Sequence, residues 1–197
     1  VIPTAGVKAA WDGSVAANFA GGNGTEANPY LISNAKELAL LAEYVNLGSD
    51  TASTYYKLTA DIDVSGGSEW TAIGTYINRF KGTFDGGGHT VSGININKPD
   101  KEFQGLFGYS EGIIKNVGVE DSSIIGEVQV GGICGSNEGT IEGCYNTGYI
   151  EATSDGAGGI CGYNNNANAK IKNCYNTGTL DGDFSGGICG ANMNGSI

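Results

Sequence analysis

Four short segments in the second half of the chain are near copies of one another: Gly105-Leu106-Phe107-Gly108, Gly132-Ile133-Cys134-Gly135, Gly159-Ile160-Cys161-Gly162 and Gly187-Ile188-Cys189-Gly190. They start 27, 27 and 28 residues apart. Self-similarity at that period marks a stack of small units, none of which can bury its own apolar face. A further sub-pattern keeps the same step. Ile114-Lys115-Asn116-Val117 becomes Ile141-Glu142-Gly143-Cys144 and then Ile171-Lys172-Asn173-Cys174, and the last two run on into Tyr-Asn-Thr-Gly at 145–148 and 175–178. The chain reads as one elongated domain that grows in one dimension.

A unit of this length has room for three short strands, around Gly-Ile-Cys-Gly, around Ile-Lys-Asn-Cys-Tyr, and around Tyr149-Ile150 or Thr179-Leu180. Strands that pair with their equivalents one coil away make an all-β, single-stranded parallel β-helix. The columns Ile114, Ile141, Ile171 and Val117, Cys144, Cys174 keep apolar character and face the core, while Lys115, Glu142 and Lys172 change sign and face out. Asn116, Gly143 and Asn173 occupy a slot suited to a left-handed backbone. Asn137, Asn164 and Asn192 are placed to form an amide ladder.

Upstream the pattern is less regular. Residues 1–28 form a Gly- and Asn-rich N-terminal loop segment, residues 29–104 irregular first coils, and residues 105–197 the regular repeats, broken off within a coil. The first coils include a helix over 34–47, with Asn34 as cap, Glu37 reaching back to it, and Leu38, Leu41, Ala42 and Val45 as its apolar stripe. That helix covers the open first coil. Strand-like apolar positions follow at 55–64, 70–74, 80–84 and 91–96. The chain begins with Val1 and stops inside a repeat, so it reads as a segment of a longer protein.

Composition narrows the function. A net charge of −11 with 10 basic residues is the wrong sign for neutralising nucleic-acid phosphates or an anionic membrane. No apolar run is long enough to cross a bilayer. Glycine is 35 of 197 residues and falls at fixed points of the repeat. The five cysteines share slots with Val117 and Phe107, which reads as packed thiols rather than disulfides or a metal site.

These repeats resemble the GLUG repeats of large bacterial surface proteins and of immunoglobulin A-specific zinc metallopeptidases. The stretches Tyr30-Leu31-Ile32-Ser33, Leu58 to Asp63 and Phe80 to Thr90 resemble segments that precede such repeats. The resemblance, over about residues 29–197, implies an extracellular right-handed β-helix used as a non-catalytic adhesion or spacer module, on the cell surface or secreted. It brings no catalytic residues and no cofactor. The peptidase zinc motif is missing, since His89 is the only histidine. A glycan-binding or glycan-cleaving β-helix is the alternative.

Few side chains suggest chemistry. His89 follows a glycine run and reads as a turn residue. Asp61 and Asp63, at i and i+2, are candidate calcium ligands or solvated acids beside a turn. Tyr145, Tyr149, Tyr163 and Tyr175 are candidates for a ligand face toward a host glycan or protein. Arg79 is the only arginine, and Glu111 and Glu138 share a slot in successive repeats. The open last coil, from residue 171 on, is expected to make end-to-end contacts between copies.

Overall fold

The computed structural model describes residues 10–197, so the first nine residues of the expected N-terminal loop lie outside the described residues. The strands form four sheets, and every strand pairs in parallel with its equivalent in the next coil. One regular coil contributes Cys134–Asn137 to sheet 1, Thr140–Glu142 to sheet 2, Tyr145–Asn146 to sheet 3 and Tyr149–Gly158 to sheet 4. Sheet 2 is the longest, six strands from Tyr30–Ile32 to Lys170–Lys172. Parallel strands joined by crossovers wind right-handedly, and the chain is a right-handed β-helix of about six turns.

Each regular coil therefore has four strands where the repeat pattern alone suggests three. The Ile-Lys-Asn-Cys-Tyr segment divides because its middle residue is left-handed: φ is 54° at Asn116, 62° at Gly143 and 54° at Asn173. That single residue turns the chain from sheet 2 into sheet 3. The expected strand at 70–74 is instead a bridge from Ile73 to Phe107, after which Gly74, with φ 86°, starts a loop.

The expected columns face inward. Ile114, Ile141, Ile171, Val117 and Cys144 are buried, and Cys174 is half-buried at the last full coil. Sheet 2 carries this column back through Phe84 and Tyr56 to Tyr30. Phe107 is in register with Cys134, Cys161 and Cys189. Aromatic side chains thus fill the first coils, with Phe80 and Phe84 5.1 and 5.2 Å from Phe107 between ring centroids, and Ile and Cys fill the later ones. All five cysteines are free thiols. On the outside of sheet 2, Asp85, Lys115, Glu142 and Lys172 stand in register with alternating sign, with Lys115–Asp85 at 3.4 Å and Lys172–Glu142 at 3.0 Å. These exposed pairs stabilise the stack by about 0–1 kcal/mol each.

The asparagine slot forms the expected ladder. Asn137 Nδ2 donates to Asn164 Oδ1 at 2.9 Å, and Asn164 Nδ2 to Asn192 Oδ1 at 3.0 Å. A second ladder joins Asn146 Nδ2 to Asn176 Oδ1 at 2.9 Å.

The helix spans Ala35–Asn46, capped by Asn34, whose side chain accepts from the Glu37 N–H. Glu37 reaches one residue further back than a capping box would place it, accepting from the N–H and hydroxyl of Ser33 at 2.6 and 2.9 Å. Leu38, Leu41, Ala42 and Val45 are buried against the first coils, beside the Trp11–Trp70 contact of 5.7 Å.

The second glycine of each repeat has a specific cause. The two long sheet 4 strands shift register between Gly126 and Val128, and a second left-handed series, Phe103, Gln129, Gly156 and Phe184, brings that part of the chain back along the outside of sheet 1. A Cβ on Gly108, Gly135, Gly162 or Gly190 would lie 2.3–2.8 Å from backbone atoms of residues 74, 103, 129 or 156. Only glycine allows the two backbone layers to approach so closely.

Candidate functional site

Sheet 3 brings together Asp61, Asp63, His89, Tyr145 and Tyr175. Its register places Tyr145 beside Tyr175 on one side and Gly118 on the other, and Gly118 beside Thr90, whose N–H donates to Asp61 Oδ1 at 3.1 Å. The Tyr145 ring lies over Gly118, where a Cβ would be 2.3 Å from the ring. The two tyrosines stack at 5.0 Å with planes 4° apart. Tyr145 donates its hydroxyl to Glu120 Oε1 at 2.6 Å. That bond, with burial adding to it, pushes the phenol up to about 12. The ring is therefore a neutral donor locked in place, with Tyr175 half exposed on top of it.

At the other end of the sheet His89 Nδ1 is 3.1 Å from Asp61 Oδ1, and its backbone N–H closes the turn onto Gly86 O. Asp63 Oδ1 accepts from the Ser65 N–H at 2.8 Å. Asp61 precedes the strand Ile62–Asp63 and is exposed, while Asp63 is half-buried. Among the described residues no group of three or more His, Cys, Asp or Glu is arranged to hold a metal ion.

The other two expected tyrosines lie elsewhere. Tyr149 begins the sheet 4 strand and donates to Glu151 at 2.8 Å and Asp181 at 3.2 Å. Tyr163 is on sheet 1 and donates to Asp155 at 3.0 Å. The four tyrosines therefore do not make one face, because the coil turns a corner between sheets 3 and 4 and another before sheet 1. Tyr145, Tyr149 and Tyr163 instead each donate to a carboxylate on their own side.

A second constellation, on the sheet 1 side, was not legible as a site in the sequence. Arg79 Nη1 bonds Glu111 at 2.7 Å and Glu138 at 3.1 Å, and its guanidinium lies 4.3 Å from the Tyr109 centroid and 5.3 Å from that of Tyr76. Burial works against the charge, but the Glu111 hydrogen bond and the surrounding groups outweigh it and hold the guanidinium above its ordinary value. Tyr109 donates to Glu138 Oε1 at 2.6 Å, and Asn165 Nδ2 donates to the Tyr109 hydroxyl at 3.2 Å. Phe103 completes the cluster, 5.3 Å from Tyr109 and 6.0 Å from Tyr76. The signal available was the shared slot of Glu111 and Glu138. Their partner Arg79 comes from a loop that no repeat predicts.

The GLUG motif family matches residues 126–151 and 153–181. Each match runs from a sheet 4 strand around to the next. A Gly-rich membrane protein candidate of Evansella cellulosilytica is 36% identical over 134 residues, covering 63% of this chain and 15% of that protein. Halomucin of Haloquadratum walsbyi is 30% identical over 164 residues, covering 77% of this chain and 2% of that protein. A crystal structure of a candidate immunoglobulin A1 protease from Bacteroides ovatus superposes with a TM-score of 0.63 at 25% identity, over 91% of this chain and 65% of that one. The chain thus spans a small part of its two relatives and about two thirds of the solved chain. On its repeats and its coil geometry, this chain carries GLUG repeats.

Proposed function

We propose that this chain is a non-catalytic module of a surface or secreted protein, a rigid spacer whose lateral faces serve adhesion. The observation that carries the reading is the parallel pairing of the regular coils through all four sheets, with two asparagine ladders joining the later ones. Such a stack transmits length and stiffness and can be extended by whole repeats without changing the rest. Two relatives are named as a membrane protein candidate and as halomucin, names of surface type rather than of enzymes. The stacked Tyr145 and Tyr175 offer one lateral contact face.

Inserting three further copies of residues 132–158 tests the spacer. Small-angle scattering should show the long dimension growing by about 14 Å, at about 4.8 Å per coil, with the fold retained. Growth that is not linear in coil number, or loss of the fold, overturns it. Adhesion is tested by an array of glycans and host proteins probed with the purified module.

A further inference from the structure

The loop Thr75–Asn78 holds an exposed aromatic ring more rigidly than a surface loop requires. Thr75 N–H donates to Asn78 O at 2.8 Å, and the Asn78 N–H returns to Thr75 Oγ1 at 3.0 Å. Asn46, at the end of the helix, then ties the loop down. Its Oδ1 accepts from the Gly74 N–H at 2.8 Å, its Nδ2 donates to Ala72 O at 3.0 Å, and its carbonyl accepts from Asn78 Nδ2 at 2.7 Å. Arg79 Nε adds a bond to Tyr76 O at 3.2 Å. Tyr76, 58% exposed, is carried on this frame.

Tyr76 and Phe103 lie 6.0 Å apart with planes within 23°. Phe103 is itself fixed, by its left-handed backbone and its contact with Tyr109. Beside the two rings is a cleft of about 150 Å³ whose walls include Thr71, Thr75, Lys98, Glu102 and Gln104. It is well below the ~300 Å³ at which pockets enclose a drug-sized ligand. Tyr76 stacked on Phe103, an aromatic platform edged by hydroxyl, amide, carboxylate and ammonium groups, suits a molecule with one C–H face and a rim of hydroxyls.

Charge decides which molecule of that kind. Lys98 is 3.8 Å from Glu69, and Glu102 stands across the cleft, so no cation is left in excess. The chain as a whole carries −11, which repels acidic ligands. We propose that the Tyr76–Phe103 platform with its adjoining cleft is a binding site for one pyranose ring of a neutral glycan. This deepens the adhesion reading and rests on it, and it places the ligand on the sheet 1 side rather than on the Tyr145–Tyr175 stack. The platform is pre-organised, so binding forfeits little side-chain freedom.

The test uses the whole chain titrated with cellohexaose, β-mannohexaose and chitohexaose, with hexagalacturonate as the acidic comparison, followed by NMR of the Tyr76 ring protons and by calorimetry. At least one neutral hexasaccharide should bind and shift the Tyr76 signals. Tyr76→Ala, an exposed position, should weaken that binding by about tenfold or more, a loss of about 1.4 kcal/mol. Tyr175→Ala should leave it unchanged, and hexagalacturonate should bind more weakly. Binding that depends on Tyr175 and not on Tyr76 overturns this site while leaving adhesion standing. Silence from all three neutral sugars, or capture of a protein through Tyr76 instead, overturns the ligand class while the coil-insertion scattering still reports on the spacer.

Discussion

Replacing Gly135 with alanine adds one methyl group where two backbone layers meet. Its ideal position is 2.7 Å from Gln129 O, 2.7 Å from the Phe103 Cα and 2.8 Å from Gly108 O. None of these belongs to a flexible side chain that can swing away, and all three are fixed by strand pairing or by a left-handed turn. The layers must therefore separate by several tenths of an ångström over adjacent coils. Overpacking of this kind costs about 1–3 kcal/mol, and backbone on every side puts Gly135→Ala near about 3. For a domain of this size each kcal/mol moves the midpoint by about 2–4 °C, so Tm should fall by about 6–12 °C. Gly187 supplies the control within the same motif, since a Cβ there meets nothing within 4 Å, and Gly187→Ala should be neutral or stabilise by up to about 1 kcal/mol through the unfolded chain. Thermal unfolding followed by circular dichroism, with urea titration for the free energy, decides the matter. A Gly135→Ala midpoint within about 1 °C of the parent would show that the layers are not in contact and refute the account of the repeat's second glycine.

Three further outcomes are expected. Ile141→Ala, at a wholly buried position, should lose about 2–5 kcal/mol in urea unfolding, whereas Ile113→Ala, one residue before the equivalent slot and 42% exposed, should lose under about 0.5 kcal/mol. Asn164→Ala should lose about 1–3 kcal/mol, chiefly by stranding the buried Asn137 amide, which donates to its side-chain oxygen. Cys174 should be the first thiol alkylated in the folded protein: the adjacent Cys144 thiol and N–H stabilise its thiolate and bring it down to about 7, while burial holds Cys161, and the bond to the Cys174 sulfur together with burial holds Cys144, well up. Its iodoacetamide labelling should rise steeply as pH increases through 7 and be slow below it, since only the thiolate reacts; equal labelling of Cys161 and Cys174, read by mass spectrometry, would contradict the packing.

What the sequence made legible and what it hid follow one physical division. Features that recur every coil are visible because stacking forces identical positions into identical surroundings. The inward Ile and Cys columns, the left-handed Asn116, Gly143 and Asn173, and the Asn137 ladder could all be read before any geometry was known. The fourth strand was hidden because a left-handed residue inside an apolar run looks like part of one strand until its φ is known. The second left-handed series was hidden for the opposite reason, since Phe103, Gln129, Gly156 and Phe184 share a conformation and no chemistry. Phenylalanine at φ near 55–58° is costly in isolation, and it is held there by the outer layer packed on sheet 1. The candidate sites divide in the same way. Tyr145 and Tyr175 stand out because they are one residue type in one slot. Tyr76, Arg79 and Phe103 come from a loop and a turn outside the repeat, and only the winding of the chain sets them beside Tyr109 and Glu138. In a solenoid the repeat specifies the scaffold, and a feature able to distinguish one ligand from another arises where the repeat is interrupted. That places the search for specificity in this chain at the 74–79 loop, ahead of the regular coils that resemble one another.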